Sequence, residues 1–107
     1  MTTNASRQKR VGLHLPLDVD GRDAGGAPFS DTTRTLNVSG GGLAFETGRD
    51  LQMGSRLDLR IDLPPALRHH FGGKAAYAVR AVVCRVERAQ GSAIGRIGVR
   101  FLDEIPR

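Results

Sequence analysis

Asn37-Val38-Ser39-Gly40-Gly41-Gly42 is the one concentrated polar motif of this 107-residue chain, and a basic cluster, Arg7-Gln8-Lys9-Arg10, lies well upstream of it. Side chains alternate faces along an extended backbone, so Asn37 and Ser39 are expected to point the same way. Both carry hydrogen-bond donors and acceptors. The glycines present no side chain to a flat ligand and tolerate positive φ. Arginine brings a planar fork that grips a phosphate or a guanine edge bidentately. The set fits an acceptor-rich anion held between arginines and a small polar platform. Taken alone, the same residue types also make an ordinary turn.

Other chemistries find less support. No Gly-x-Ser-x-Gly elbow surrounds Ser39, because position 37 is Asn. Asp58, Arg60 and Asp62 alternate along one run, and a solvated strand face with cross-strand ion pairs accounts for them. His69 and His70 are adjacent and do not converge on a metal, and His14 has no partner ligand at a fitting spacing. Cys84 is the single cysteine, which excludes an internal disulfide and a four-cysteine zinc site; it is expected to be a small packed residue. The chain is therefore read as non-enzymatic, with no metal and no cofactor.

The elements that must position the motif read as strands. Leu13, Leu15, Leu17 and Val19 alternate with polar residues, and Pro16 among them predicts an edge strand or a bulge. Residues 21–30 are rich in Gly, Asp, Ala and Pro and are expected to be a loop. Further strands are predicted over 32–38, 43–47, 55–63, 75–88 and 93–102. Pro64-Pro65 ends the fourth of the six, Ala66 to Phe71 suits one helical turn, and Gly72-Gly73 stops it. Short connections and the lack of an amphipathic helix predict an all-β, six-stranded antiparallel barrel.

Composition sets the outer limits. A chain of 107 residues suits one domain with a modest core. Sixteen Lys and Arg against eleven Asp and Glu give +5, which favours an anionic partner. Four Phe, one Tyr and no Trp argue against a nucleic-acid surface built on stacked aromatics, and the short basic cluster offers too few phosphate contacts for a nucleic-acid polymer. No apolar run approaches the roughly 18 residues that cross a bilayer. The polar opening, Met1 to Arg10, lacks the apolar core of a signal peptide, so a cytoplasmic location without a membrane span is expected. Residues 1–10 are expected to form a flexible basic arm, and 11–104 the barrel domain.

The order of these features resembles the PilZ domain, the bacterial receptor module for cyclic di-GMP. The resemblance runs from Arg7 to Asp103. Arg10-Val11 followed by Leu13-x-Leu-Pro-Leu is similar to the family's opening strand. Asn37-Val38-Ser39-Gly40-Gly41-Gly42 matches Asp/Asn-x-Ser-x-x-Gly in full, and Gly98-Val99-Arg100-Phe101-Leu102-Asp103 is similar to the closing strand. One element departs: the family's first motif is Arg-x-x-x-Arg, whereas the residue four before Arg10 is Ser6, and Arg7 stands three before it.

The resemblance implies a bacterial second-messenger sensor or adaptor. Arm residues Arg7, Lys9 and Arg10 would clamp phosphate and guanine edges, while Asn37, Ser39 and Gly42 hold the ligand on the barrel. The alternative is a degenerate PilZ-like domain that does not bind the nucleotide and serves as a protein-interaction module. Either way, a protein effector or a longer signalling chain is the expected partner.

Overall fold

Alternation decides the architecture. Leu17 and Val19, then Leu57, Leu59 and Ile61, then Val79, Ala81 and Val83, then Ile97 and Val99 recur at every second position and are all buried in one core. A period of two fits strands and no helix. The computed structural model describes residues 12–106. The strands are β1 (Pro16–Arg22), β2 (Pro28–Val38), β3 (Gly42–Thr47), β4 (Arg56–Asp62), β5 (Ala76–Arg88) and β6 (Gly95–Glu104). They close into an antiparallel barrel in the order β1-β2-β3-β6-β5-β4, with β4 paired back to β1. The six-stranded barrel read from the sequence is therefore the observed fold. Phe45 is the largest of its fully buried side chains. A 3-10 helix, Pro65–Phe71, ends at Gly72 and Gly73, both in the left-handed region at φ 73° and 80°.

Three expectations change. Pro16 lies neither on an edge nor in a bulge, since a closed barrel has no edge. It is the first residue of β1, it faces Arg34, and the β1–β4 ladder begins one residue later at Leu17↔Ile61. Its missing N–H costs no ladder bond there. The loop expected over 21–30 shrinks to the turn between Arg22 and Pro28. The Asp23 carboxylate nucleates that turn by accepting from Gly25 N at 3.0 Å and Ala27 N at 2.9 Å. Cys84 is exposed rather than packed, because the β5–β6 register slips between Val83 and Arg85 and leaves it as the extra residue of a bulge.

Arg49, in the β3–β4 connection, clamps onto β2. Its Nε and Nη2 donate to the two Asp31 carboxylate oxygens at 2.8 Å each, and its guanidinium lies 4.8 Å from the Phe29 ring centroid. Hydrogen bonding from Arg49 holds the Asp31 pKa below the usual carboxylate value, aided by its charge and opposed by partial burial. A lowered folded pKa contributes stability above the unfolded value of about 3.9, lost as pH falls through the folded one. Asp31→Asn should therefore melt below the parent chain at pH 7, with the gap closing in acid. Thermal melts across that range check this, and a gap independent of pH would refute it.

Candidate ligand-binding site

The Asn37–Gly42 segment is built around a bulge and a tight turn. Leu36 is the extra residue where the β2–β3 register slips between Thr35 and Asn37. Asn37 then pairs with Ala44, and Val38 with Leu43. Val38 and Leu43 point into the central core cluster, so alternation turns Asn37 and Ala44 to the opposite side of the sheet, where Ala44 is fully buried and Asn37 half-buried. Ser39 lies beyond the end of β2. Its N–H donates to Gly42 O at 2.8 Å, its hydroxyl donates to the same oxygen at 3.3 Å, and it accepts from Gly41 N at 3.3 Å. The Ser39 N–H to Gly42 O bond continues the register that pairs Asn37 with Ala44 and Val38 with Leu43, so Asn37 and Ser39 keep the same parity at the end of β2. Asn37 is half-buried, and Ser39, 8% exposed, closes the turn between β2 and β3.

Gly42 is required for a reason other than left-handed backbone; none of Gly40, Gly41 and Gly42 has positive φ. A Cβ at Gly42 would run into the Val99 carbonyl oxygen, 3.2 Å from Val99 C and 3.4 Å from Arg100 Cα. The glycine therefore lets β3 cross β6 at close range. That crossing continues into the turn, where Phe101 N donates to Gly41 O at 2.8 Å.

The basic residues Arg7, Lys9 and Arg10 lie outside the described residues. Their point of attachment is described, and Thr35 dominates it. Thr35 is fully buried; its hydroxyl donates to Leu13 O at 2.5 Å and accepts from Leu15 N at 2.9 Å, while its own N–H donates to Leu15 O at 2.9 Å. His14 Nδ1 lies 3.1 Å from Thr35 O. One side chain thus fastens the entry segment to β2, two residues before Asn37.

Leu13 and Leu15 also line a cavity of about 750 Å³, together with Val38, Ser39, Gly40, Leu67, Phe71 and Tyr77. Tyr77 packs between Phe71 and Phe101, with ring centroids 5.0 and 5.8 Å away. Burial, with the Glu104 charge nearby, raises its phenol pKa. Lys74 and Glu104 form an ion pair at the rim. The turn of the motif, the root of the basic segment and this apolar hollow therefore meet at one end of the barrel.

Sequence reasoning missed Thr35 and the hollow. The usable signal for Thr35 was parity, since it shares its strand face with the buried Phe29 and so had to satisfy its hydroxyl inside the core. Among the described residues no His, Cys, Asp and Glu cluster is arranged to hold a metal ion, and no helix is long and apolar enough to cross a membrane.

Comparison with known proteins agrees with this architecture. The barrel is similar to the inhibitor of motility MotI/DgrA of Bacillus subtilis, with a TM-score of 0.69 and 20% identity over 96% of this chain and 44% of that one. It is similar to the PilZ domain of YcgR from Escherichia coli, solved with c-di-GMP, at a TM-score of 0.59 and 18% identity over 92% of this chain and 79% of that one. The MrkH–c-di-GMP complex of K. pneumonia gives 0.60 and 17% over 94% of this chain and 45% of that one. The chain thus spans less than half the length of MotI and of MrkH. No curated protein sequence matches it significantly. The PilZ domain profile matches residues 4–107, nearly the whole sequence, and the chain belongs to the PilZ domain family.

Proposed function

We propose that this domain is a cyclic di-GMP receptor that signals by closing its basic N-terminal segment over ligand held at the Asn37–Gly42 turn. The observation that carries the reading is the complete Asn-x-Ser-x-x-Gly motif in a chain of this family, positioned where the basic segment joins the barrel. Arg10 takes a phosphate or a guanine edge, Arg7 serves as a displaced second arginine, and Lys9 adds charge. Asn37 hydrogen-bonds the ligand from the outer face. Ser39 and Gly42 hold the turn in shape, and through it the position of Asn37. No step of this requires catalysis. Ordering of the basic segment is the output, read by an effector protein or by further domains of a longer chain.

The second reading is a protein-interaction module that has lost the nucleotide, and the Arg7-x-x-Arg10 spacing favours it. Fluorescence anisotropy with labelled cyclic di-GMP separates the two. Binding should be displaced by unlabelled ligand and not by bulk DNA. Arg10→Ala and Asn37→Ala should each weaken it about tenfold to a hundredfold, the loss of one charge-assisted or buried contact. Binding that survives both substitutions would remove the motif from the account.

A further inference from the structure

The strand register extends the outward side of Asn37 across the barrel. Asn37 pairs with Ala44, Ala44 with Gly98, and Gly98 with Arg85, giving one row over β2, β3, β6 and β5. Gly98 lies between Ile97 and Val99, both in the core, so its own face is the outer one. The two middle positions are small and both are buried, and Asn37 and Arg85 flank them. The Cys84 bulge sets Arg85 in this row. Its side chain folds over Gly98, with Cβ and Nη2 each 3.3 Å, and Nε 3.4 Å, from where a Cβ of residue 98 would stand.

Charge is uneven on either side of this row. Away from the motif, Arg96 has Glu46 and Glu87 as its register partners. Toward the motif, Arg100 has Gly42 and Val82, and it makes no ion pair among the described residues. Arg85 and Arg100 are diagonal neighbours, close enough for long side chains to converge. The acidic partner of Arg85 is Glu87, at 3.5 Å and with both side chains about half exposed. Arg88, by contrast, already donates to Ala93 O at 2.8 Å and Arg49 O at 3.0 Å, which ties it to the opposite end of the barrel.

We infer that Arg85 and Arg100, both exposed above the small buried positions Ala44 and Gly98, are further ligand-binding residues that grip a phosphate of the dinucleotide held at Asn37. This rests on the receptor reading above. It adds cations supplied by the barrel itself, which offset the irregular arginine spacing of the N-terminal segment. Glu87 competes with the phosphate for Arg85.

Calorimetric titration of cyclic di-GMP into the whole chain and into Arg85→Gln, Arg100→Gln, Glu87→Gln and Asn37→Ala tests it, with melting temperatures confirming that each variant folds. Arg85→Gln and Arg100→Gln should each weaken binding about tenfold, as the loss of one charge-assisted contact does. Glu87→Gln should tighten it. A merely structural Arg85–Glu87 pair would make both substitutions act in the same direction, and that result would overturn the inference. Parent-like binding by Arg85→Gln and Arg100→Gln, with Asn37→Ala impaired, would overturn it and leave the receptor reading intact. Absence of binding by the parent chain would overturn both.

Discussion

Thr35→Val is expected to destabilise the domain by about 2–4 kcal/mol, because it strands one buried and one part-buried backbone group at once. Valine has nearly the shape of threonine, so packing is retained and the hydroxyl alone is lost. Leu15 N–H then has no acceptor, and Leu13 C=O loses its donor. Against a typical total of about 5–15 kcal/mol this is a large fraction, and the melting temperature should fall on the order of ten degrees or more. Thr35→Ser keeps the hydroxyl and should recover most of the loss. The consequence for function follows from position, since the same bonds fasten the segment through which Arg7, Lys9 and Arg10 join the barrel. Ligand affinity should fall in Thr35→Val even at temperatures where the barrel is folded. Thermal melts and titration of both variants check this, and a Thr35→Val protein that melts with the parent would refute it.

Gly42→Ala is the second large effect. The added methyl has no flexible neighbour to displace, because the obstacle is the β6 backbone at Val99 and Arg100. Overpacking of this kind costs about 1–3 kcal/mol or more, and here β3 and β6 must separate to accommodate it. Separation breaks the Phe101 N to Gly41 O bond and the bonds that Ser39 makes to Gly42. Folding and ligand binding should therefore decline together. Gly40→Ala is the matched control, since a Cβ there meets nothing within 4 Å. It should leave the melting temperature within a few tenths of a kcal/mol equivalent, the usual range for such surface changes. Equal stability of the two variants would contradict the assignment of Gly42 to the strand crossing.

Much of this fold was legible because its core is written in one period. Strands such as Arg56–Asp62, where Leu57, Leu59 and Ile61 alternate with charged residues, leave no other reading. The 3-10 turn was equally plain from Pro64-Pro65 on one side and Gly72-Gly73 on the other. What alternation could not reveal were the slips in register. A bulge adds a residue without a compositional mark, so parity beyond it is lost. Cys84 was misplaced for that reason. The motif itself was visible as residue types, yet the β6 backbone that makes Gly42 necessary lies more than fifty residues away in sequence. Closure of β4 onto β1, which relieves Pro16 of an edge position, is likewise a long-range fact.

Isothermal titration of cyclic di-GMP into the chain at moderate salt, beside Arg10→Ala, tests the central claim most directly. The account predicts saturable heat for the parent chain and binding weakened about tenfold to a hundredfold in the variant. Absence of heat, with no rise in melting temperature at high ligand concentration, would contradict it and leave the protein-interaction reading in its place.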